Sequence, residues 1–316
     1  MRISIDICAY LDYMTGMPRL NIYLPDDVYD LASKWRSSAN LSEICARAIK
    51  DEFHAADAYR APGTLLNTFT PAGKLETELA EKLGLFEVHI VDTPTDYTRL
   101  RDDIGKIAAA YIDRQICDGS YLAIAGGRQM WCVVRNLSPR RVRATITALG
   151  MHQVDPELLH AHPNTLATLL WLLYSPRSQA HVVDAIQRAE RWPADPQAKT
   201  SPTYFVLSSC SPFDPQSSFA RLLGAEVVTS LKERRVSGDY AYVFFDNDGN
   251  EIELPIAAPH FRLSGHTLRT MSSRSDVRTI LVAGGDKKMG SIRATIKAGF
   301  CNMLVTDNET AQRLLE

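Results

Sequence analysis

The sequence predicts an α/β protein with two domains, a short strand–helix–helix unit near the N-terminus and a larger domain on a mostly parallel sheet. Three observations predict this fold class. The chain has 316 residues, which is enough for two domains. Residues 17–53 contain a strictly alternating run and then two apolar stripes of helical period. From Lys74 onward, helical and extended runs alternate, which favours parallel strands covered by helices on both faces.

The composition is that of an ordinary globular protein and argues against several classes. Hydrophobic residues make up 45% of the chain and the formal net charge is −2, so no overall basic field marks a nucleic-acid-binding protein. The six cysteines are scattered without a C-x-x-C pair, which argues against a zinc ribbon or a disulfide framework. Asp6 and Asp12 interrupt any signal-peptide core, and the longest apolar run, at 166–174, is too short to span a bilayer. We therefore expect a cytoplasmic protein with no membrane contact, no metal and no cofactor.

The first domain opens with a strand that has no partner nearby in the chain. Its apolar and polar residues alternate, the apolar face being Leu20, Ile22 and Leu24 and the polar face Arg19, Asn21 and Tyr23. An unpaired strand edge is an aggregation hazard unless another chain covers it. We therefore expect a second copy of the chain to pair with this strand.

Two short amphipathic helices follow the strand. The first begins at Pro25 and Asp26, where proline suits the first turn and an acid suits the positive end of the helix dipole. The second begins at Ser42, a good N-cap. Because so short a unit buries too little apolar surface to be stable alone, we expect a homodimer or a homotetramer.

Residues 17–58 resemble the ribbon-helix-helix family of CopG- and MetJ-like repressors. The family's R-L-x-I-x-L strand, acidic helix start and N-L-S-E entry to the second helix are present as RLNIYL, PDD and NLSE. The resemblance implies that the paired strands read base edges in the major groove of double-stranded operator DNA, while the start of the second helix holds a phosphate. The implied DNA-binding residues are Arg19, Asn21, Tyr23, Leu41, Ser42 and Glu43. Residues 1–16 are then an N-terminal extension, and the Pro- and Gly-rich residues 59–73 are expected to be a linker.

The larger domain, residues 74–316, is predicted to alternate helices with strands. The helical runs include KLETELAEKLG, DYTRLRDDIGKIAAAYIDRQI, GRQMWCVVRNL and DKKMGSIRATIKAG. The extended runs are LFEVHIV, SYLAIA, RATITAL, TYFVLSS, DYAYVFFD before the turn NDGN, TILVAGG and NMLVTD. Residues 151–200 hold two further helical runs and a Pro-rich patch.

Glycines or small residues follow three of these strands. They are Gly126 and Gly127, Ser208 and Ser209, and Gly284 and Gly285. Ligands of open α/β sheets bind at the carboxyl ends of strands, where helix N-termini favour anions and glycine lets the backbone approach. Taken singly, each glycine pair is more often a tight turn, and no complete dinucleotide or P-loop motif is present. Together with Lys287 and Lys288, the pairs indicate a small anionic ligand.

The larger domain resembles the effector domain of the SorC/DeoR family of bacterial regulators. VAGGDKKMGSIRATIKAGFCNMLVTDNETAQRLL is similar to the family's A-G-G-x-x-K-x-x-A-I and L-V-T-D-x-x-x-A-x-x-L, and SGDYAYVFFDNDG to its G-D-x-x-x-x-F-F-D-x-D-G. The resemblance implies a Rossmann-like sheet that binds a sugar phosphate or a related anion without converting it. It implies that Lys288 contacts the anionic group and that Asp239 accepts hydrogen bonds from hydroxyls.

The same resemblance implies a first anion loop made of Gly126, Gly127, Arg128 and Gln129. The family often has threonine where this chain has Gln129. Because glutamine is longer than threonine, its side chain is expected to crowd a phosphate. The expected effectors therefore include an acid that carries no phosphate.

Two other functions fit parts of the sequence. The larger domain could be a sugar-phosphate isomerase or deaminase, which needs an acid/base pair, but only Asp239 and Asp246 are candidate acids near the loops. We therefore expect no catalytic residues and no enzyme. A plasmid-type antitoxin segment joined to an interaction domain would instead bind DNA without a ligand. Cys210 is expected in the core or the pocket lining, and the histidines at 152, 160 and 162 at the surface. The sequence favours a ligand-responsive DNA-binding regulator.

Overall fold

The computed structural model describes residues 73–150, 156–174, 179–180, 204–215, 217, 220, 223–253 and 263–316. All of them lie within one unit of the chain, residues 69–316. The ribbon-helix-helix segment, its implied DNA-binding residues and the linker up to residue 72 lie outside the described residues, so these stay predictions.

The described residues alternate helices and strands along the chain. The helices are α1 Lys74–Leu83, α2 Tyr97–Gln115, α3 Arg128–Val134, α4 Pro163–Leu173, α5 Ala225–Glu233, α6 Gly265–Ser272, α7 Met289–Lys297 and α8 Asn308–Leu315. The strands are β1 Glu87–Val91, β2 Tyr121–Ile124, β3 Thr145–Ala148, β4 Gln179–Ala180, β5 Tyr204–Ser208, β6 Cys210–Pro212, β7 Gly238–Tyr240, β8 Val243–Phe245, β9 Val277–Val282 and β10 Met303–Asp307. Short 3₁₀ turns span Pro156–Ala161 and Asp286–Lys288.

Polar side chains fix where several helices begin. The Asp96 carboxylate accepts the amides of Thr98 and Arg99 at the start of α2, and Ser264 accepts the amide of Thr267 at the start of α6. These caps satisfy backbone donors that have no partner inside the helix. Local chemistry therefore sets the helix starts.

Seven strands form one parallel sheet in the order β1-β10-β9-β5-β2-β3-β4. From β2 the chain moves outward to β3 and β4, whereas from β5 it moves in the opposite direction to β9 and β10. The neighbours β2 and β5 therefore mark the topological switch point, where open α/β sheets bind ligands. The sheet confirms the predicted α/β class with mostly parallel strands.

The core lies on both faces of this sheet. In β5, Val206 packs in one apolar cluster with residues of α6, α7 and α8, while its neighbour Phe205 packs in a second cluster with residues of α2, α3 and α4. Successive strand residues point to opposite faces, so the two clusters are the two covered faces of one sheet.

The run DYAYVFFD differs from its prediction. It is a tight hairpin, in which β7 pairs antiparallel with β8, and β6 extends this second sheet to three strands. The turn residues are Ala241 and Tyr242, whose φ angles are 50° and 65°. Hairpin turns with two positive φ angles usually contain Asn or Gly, so the sequence carries no signal for this turn. The predicted turn NDGN does follow, with Gly249 at a φ of 81°.

No helix among the described residues has the length and apolar character needed to cross a membrane.

A candidate effector site at the carboxyl edge of the sheet

The loops that carry the predicted site residues meet at one edge of the sheet. β9, β5 and β2 are adjacent and parallel, so their carboxyl ends lie side by side. The tip of the β7–β8 hairpin joins them: the Ala241 amide donates to the Ser208 hydroxyl at 3.0 Å, and Ser208 in turn donates to the Ser209 carbonyl at 3.0 Å. Ser208 is buried at the end of β5 and thus fastens the hairpin to the edge.

Lys288 reaches the same place from the end of β9. Its ammonium donates to the Ser209 hydroxyl at 2.8 Å. Burial lowers the pKa of Lys288, and the positive charge of Arg101 lowers it further, while Cys210 and Asp239 act in the opposite direction. The site thus holds a partly desolvated cation beside a hydroxyl, an arrangement that suits an anionic ligand group.

Asp239 lies on β7 and is half-buried. Burial raises the pKa of its carboxyl to about 7, although the Tyr242 amide donates to it and the Lys288 charge favours its ionised form. A carboxyl with this pKa can accept hydrogen bonds from ligand hydroxyls when ionised and donate one when protonated. The structure therefore brings together Ser208, Ser209, Asp239 and Lys288, as predicted from strand ends and from the family resemblance.

The first glycine pair is already bonded within the protein. The Gly126 amide donates to the Tyr242 hydroxyl at 3.1 Å, and the Gly127 amide donates to the Ala161 carbonyl at 2.8 Å. These two amides were predicted to hold the ligand's anion. Both instead have acceptors from the hairpin tip and from a 3₁₀ turn.

The second glycine pair is held by a buried carboxylate. The Gly285 amide donates to Asp307 Oδ2 and to the Thr310 hydroxyl, each at 2.9 Å. Asp307 also accepts from the Thr93 hydroxyl and from the amide and hydroxyl of Thr310. This pair makes a tight turn that positions Lys288, whose amide donates to the Gly285 carbonyl.

Gln129 does not crowd the site. It is 5% exposed, and its side-chain amide donates to the Arg101 carbonyl on α2 at 2.8 Å. The expectation that it would exclude a phosphate is wrong, because the first turn of α3 packs against α2 and turns this side chain inward. Arg128, the first residue of α3, is exposed.

Two residues near the site were missed by sequence reasoning. Tyr242 lay in what looked like an uninterrupted strand. Arg101 lies on α2, with its guanidinium carbon 5.4 Å from the centre of the Tyr97 ring, and its charge acts on Lys288. In the sequence Arg101 is one of several charged residues on an amphipathic helix, so no pattern singled it out.

The candidate acids and the candidate thiol are not arranged for catalysis. Asp246 accepts the amides of Asp248 and Asn250 in its own turn, and hydrogen bonding to Asn250 lowers its pKa. Burial raises the pKa of the Cys210 thiol to about 12, which keeps it protonated. His160 is exposed, as expected, and among the described residues no cluster of His, Cys, Asp or Glu is placed to bind a metal ion.

Comparisons with known proteins identify the family of this domain. The family model described as "Putative sugar-binding domain" matches residues 67–170 and 212–316. The deoxyribonucleoside regulator of Bacillus subtilis is 24% identical over 269 residues, which are 79% of this chain and 82% of that protein.

Solved structures share the fold. The full-length sorbitol operon regulator SorC of Klebsiella pneumoniae superimposes with a TM-score of 0.62 at 19% identity, covering 90% of this chain and 93% of its own. A transcriptional regulator of Streptococcus pneumoniae gives a TM-score of 0.62 at 20% identity, covering 77% of this chain and 95% of its own.

Proposed function

Because the chain belongs to this sugar-binding domain family, we propose that it is a transcriptional regulator whose DNA binding responds to a sugar phosphate or a related sugar acid. The observation that carries the proposal is the Lys288 ammonium, held by the Ser209 hydroxyl at the topological switch point. Beside it, Asp239 supplies a carboxyl for ligand hydroxyls. One cation for an anionic group and one carboxyl for hydroxyls match the two chemical parts of a sugar phosphate.

A second cation supports an anionic ligand. Burial is the main cause of the lowered pKa of Lys288, and the positive charge of Arg101 acts in the same direction. Its buried Nε has no hydrogen-bond partner among the described residues. Two like charges in a partly buried place repel each other, and an anion that binds both relieves that repulsion. The names of two relatives, a deoxyribonucleoside regulator and a sorbitol operon regulator, also favour a sugar-type ligand.

The enzyme alternative finds less support. General acid–base catalysis needs two groups within reach of the reacting atoms. Asp239 lies at the site, whereas Asp246 is bonded within its own turn, and Asp307 is occupied by four hydrogen bonds from the protein. Binding without turnover is the function that these groups favour.

For the DNA-binding part we propose the ribbon-helix-helix unit at residues 17–58, assembled by pairing of two chains. Arg19 and Asn21 suit bidentate contacts with guanine and adenine. Arg19→Ala and Asn21→Ala should each weaken binding to the protein's own promoter by about 1–3 kcal/mol, with unchanged circular dichroism. Unaltered gel shifts in both variants would show that the paired strands do not read the operator.

Self-association offers a second test of this unit. A fragment of residues 17–60 should be a dimer, and its unfolding midpoint should rise with protein concentration because the strand needs a partner. Sedimentation that finds a folded monomer would contradict the ribbon assignment.

A ligand screen tests the regulator itself. The full chain is melted with a panel of sugar phosphates and sugar acids, with and without promoter DNA. At a hundredfold excess over Kd, a ligand adds about 2.7 kcal/mol of stability, which raises the melting temperature by about 5 °C or more. The same ligand should change DNA affinity by about 1–3 kcal/mol and should be recovered unaltered. Conversion of the ligand into a product would favour the enzyme alternative. A DNA affinity that no stabilising ligand changes would favour the antitoxin-type alternative.

A further inference from the structure

Tyr242 has a backbone conformation that its residue type disfavours. Its φ is 65°, and the preceding Ala241 has a φ of 50°. For a bulky non-glycine residue a positive φ is an outlier, because the side chain approaches the following carbonyl. Such residues persist where the surroundings hold them, and they cluster at binding sites. The backbone strain at the hairpin tip therefore indicates that the surrounding residues hold Ala241 and Tyr242 in this conformation.

Two hydrogen bonds hold this tip on the carboxyl edge, and a third, to Asp239 of β7, lies within the hairpin. The Ala241 amide donates to Ser208, and the Tyr242 amide donates to the Asp239 carboxyl. The Tyr242 hydroxyl accepts the Gly126 amide at 3.1 Å. Two of these three bonds involve residues that belong to the candidate site, and the bond from Gly126 covers a backbone donor at the end of β2.

The Tyr242 ring also fills the space beyond β3. A Cβ added to Gly150 would lie 3.1 Å and 3.2 Å from two ring carbons of Tyr242, and one added to Gly126 would lie 2.7 Å from its hydroxyl oxygen. Both glycines thus make room for the Tyr242 side chain and also for Pro163, whose ring carbons would lie 2.6 Å and 2.8 Å from the added Cβ atoms. The phenol lies at the ends of β2 and β3, whereas Lys288 follows β9, which is on the other side of β5 in the sheet.

We propose that Tyr242 is a specificity-determining residue, which restricts the effector to a single anionic group. Its hydroxyl occupies the position at the Gly126 amide where an oxygen of a second anionic group would bind, and its ring fills the space that this group would need. The single group is bound at Lys288 and Ser209. The inference rests on the proposed function, since it assigns the ligand class of the same site.

The test compares ligands that differ by one phosphate. Calorimetry on the full chain measures Kd for fructose 6-phosphate and fructose 1,6-bisphosphate, and for ribose 5-phosphate and ribose 1,5-bisphosphate. The wild type should bind at least one monophosphate at least tenfold more tightly than its bisphosphate. Tyr242→Gly, which suits the positive φ and removes the phenol, should reduce that preference at least tenfold. Tyr242→Phe, which removes only the hydroxyl, should fall between the two.

Tyr240→Phe is the matched control. Tyr240 is on the same hairpin, but its hydroxyl donates to the Ile280 carbonyl in the core at 3.2 Å. This variant should keep the wild-type preference. An unchanged preference in Tyr242→Gly would overturn the inference and leave the proposed function standing. If the wild type binds none of the four ligands, the inference fails, whereas the proposed function is decided by the wider panel of the melting screen.

A second measurement needs no ligand. Hydrogen exchange at the Gly126 amide should be at least tenfold faster in Tyr242→Phe than in the wild type and in Tyr240→Phe, because the variant removes its acceptor. Equal exchange in all three proteins would show that the phenol does not cover this amide, which contradicts the inference independently of any ligand.

Discussion

The ends of β2 and β9 look alike in the sequence and differ in the structure. Each strand is followed by a glycine pair and then by a helix or helical turn. At β9 the Gly285 amide is bonded to Asp307, a carboxylate that is 0% exposed and anchored by Thr93 and Thr310. At β2 the Gly126 amide is bonded to a phenol on a turn with two positive φ angles.

The turn after β9 has a structural role, whereas the turn after β2 is held by a contact that can be lost. Asp307 and Thr310 are buried, and the hydrogen bonds around Asp307 support one another. The β9 turn is therefore expected to stay fixed and to hold Lys288 in place. The contact between Tyr242 and Gly126 depends on the hairpin tip, whose strained backbone persists only while the surrounding residues hold it. A glycine pair at a strand end therefore does not identify an anion loop, because its meaning depends on what accepts its amides.

The largest effect on the free energy of unfolding should come from removing the hydrogen bonds to Asp307 at the end of β9. Asp307→Ala leaves several buried donors without an acceptor, and hydrogen bonds to charged groups contribute about 1.5–3 kcal/mol each without full additivity. We expect the free energy of unfolding to fall by about 3–5 kcal/mol, as measured by urea denaturation. Thr93→Val, which removes one of the bonds to Asp307, should cost about 1 kcal/mol. Equal losses in the two variants would show that Asp307 does not organise this end.

A smaller, pH-dependent effect should come from Asp239. The pKa of its carboxyl rises from an ordinary value of 3.8 to about 7 in the fold, so between these pH values the unfolded chain releases this proton while the folded protein keeps it. The free energy of unfolding contributed by this group therefore falls as pH rises from about 4 to about 7.

Asp239→Asn removes that contribution. Relative to the wild type, the variant should become progressively more stable from pH 4 to pH 7 and should keep a constant difference above pH 7. Urea denaturation at each pH gives the difference. A difference that is flat across this window, or that shrinks as pH rises, would contradict a carboxyl held protonated by burial.

The smallest effect should come from Ala241→Gly at the strained tip. Glycine relieves a left-handed backbone penalty of about 1–2 kcal/mol, but it removes a buried methyl of about 0.8 kcal/mol and costs about 0.5–1 kcal/mol in chain entropy. The net change in the free energy of unfolding should be within about 1 kcal/mol of zero. Ala123→Gly, at a comparably buried residue of β2 without positive φ, should lose more. Equal losses would show that the tip carries no strain.

The sequence predicted the framework of the large domain better than its site. Periodicity and turn residues predicted every strand of the parallel sheet except the two-residue β4, and the helices α1, α2, α3 and α7. The β7–β8 hairpin was missed because Ala241 and Tyr242 are not turn-forming residue types. The ribbon-helix-helix unit lies outside the described residues and stays a prediction.

Within the site, the predictable part followed from strand ends and family resemblance. Strand ends pointed to Ser209 and Lys288, and the family resemblance pointed to Lys288 and Asp239. The side chains of Ser209 and Lys288 are in contact. The acceptors of the glycine amides could not be predicted, because Tyr242 is 116 residues from Gly126 and Asp307 is 22 residues from Gly285. Such partners become neighbours only through the sheet order, which a single sequence does not encode in any local pattern.

The most direct test of the account is the affinity of Lys288→Ala for the sugar phosphate that stabilises the wild type most in the melting screen. Lys287→Ala is the matched control, since Lys287 is exposed while Lys288 donates to Ser209. Calorimetry should show that Lys288→Ala binds at least tenfold more weakly, consistent with about 1.5–3 kcal/mol for a charged hydrogen bond. Lys287→Ala should stay within about twofold of the wild type, and urea denaturation should find both variants nearly as stable as the wild type. Equal affinity of Lys288→Ala and the wild type would contradict the placement of the effector site at this edge of the sheet.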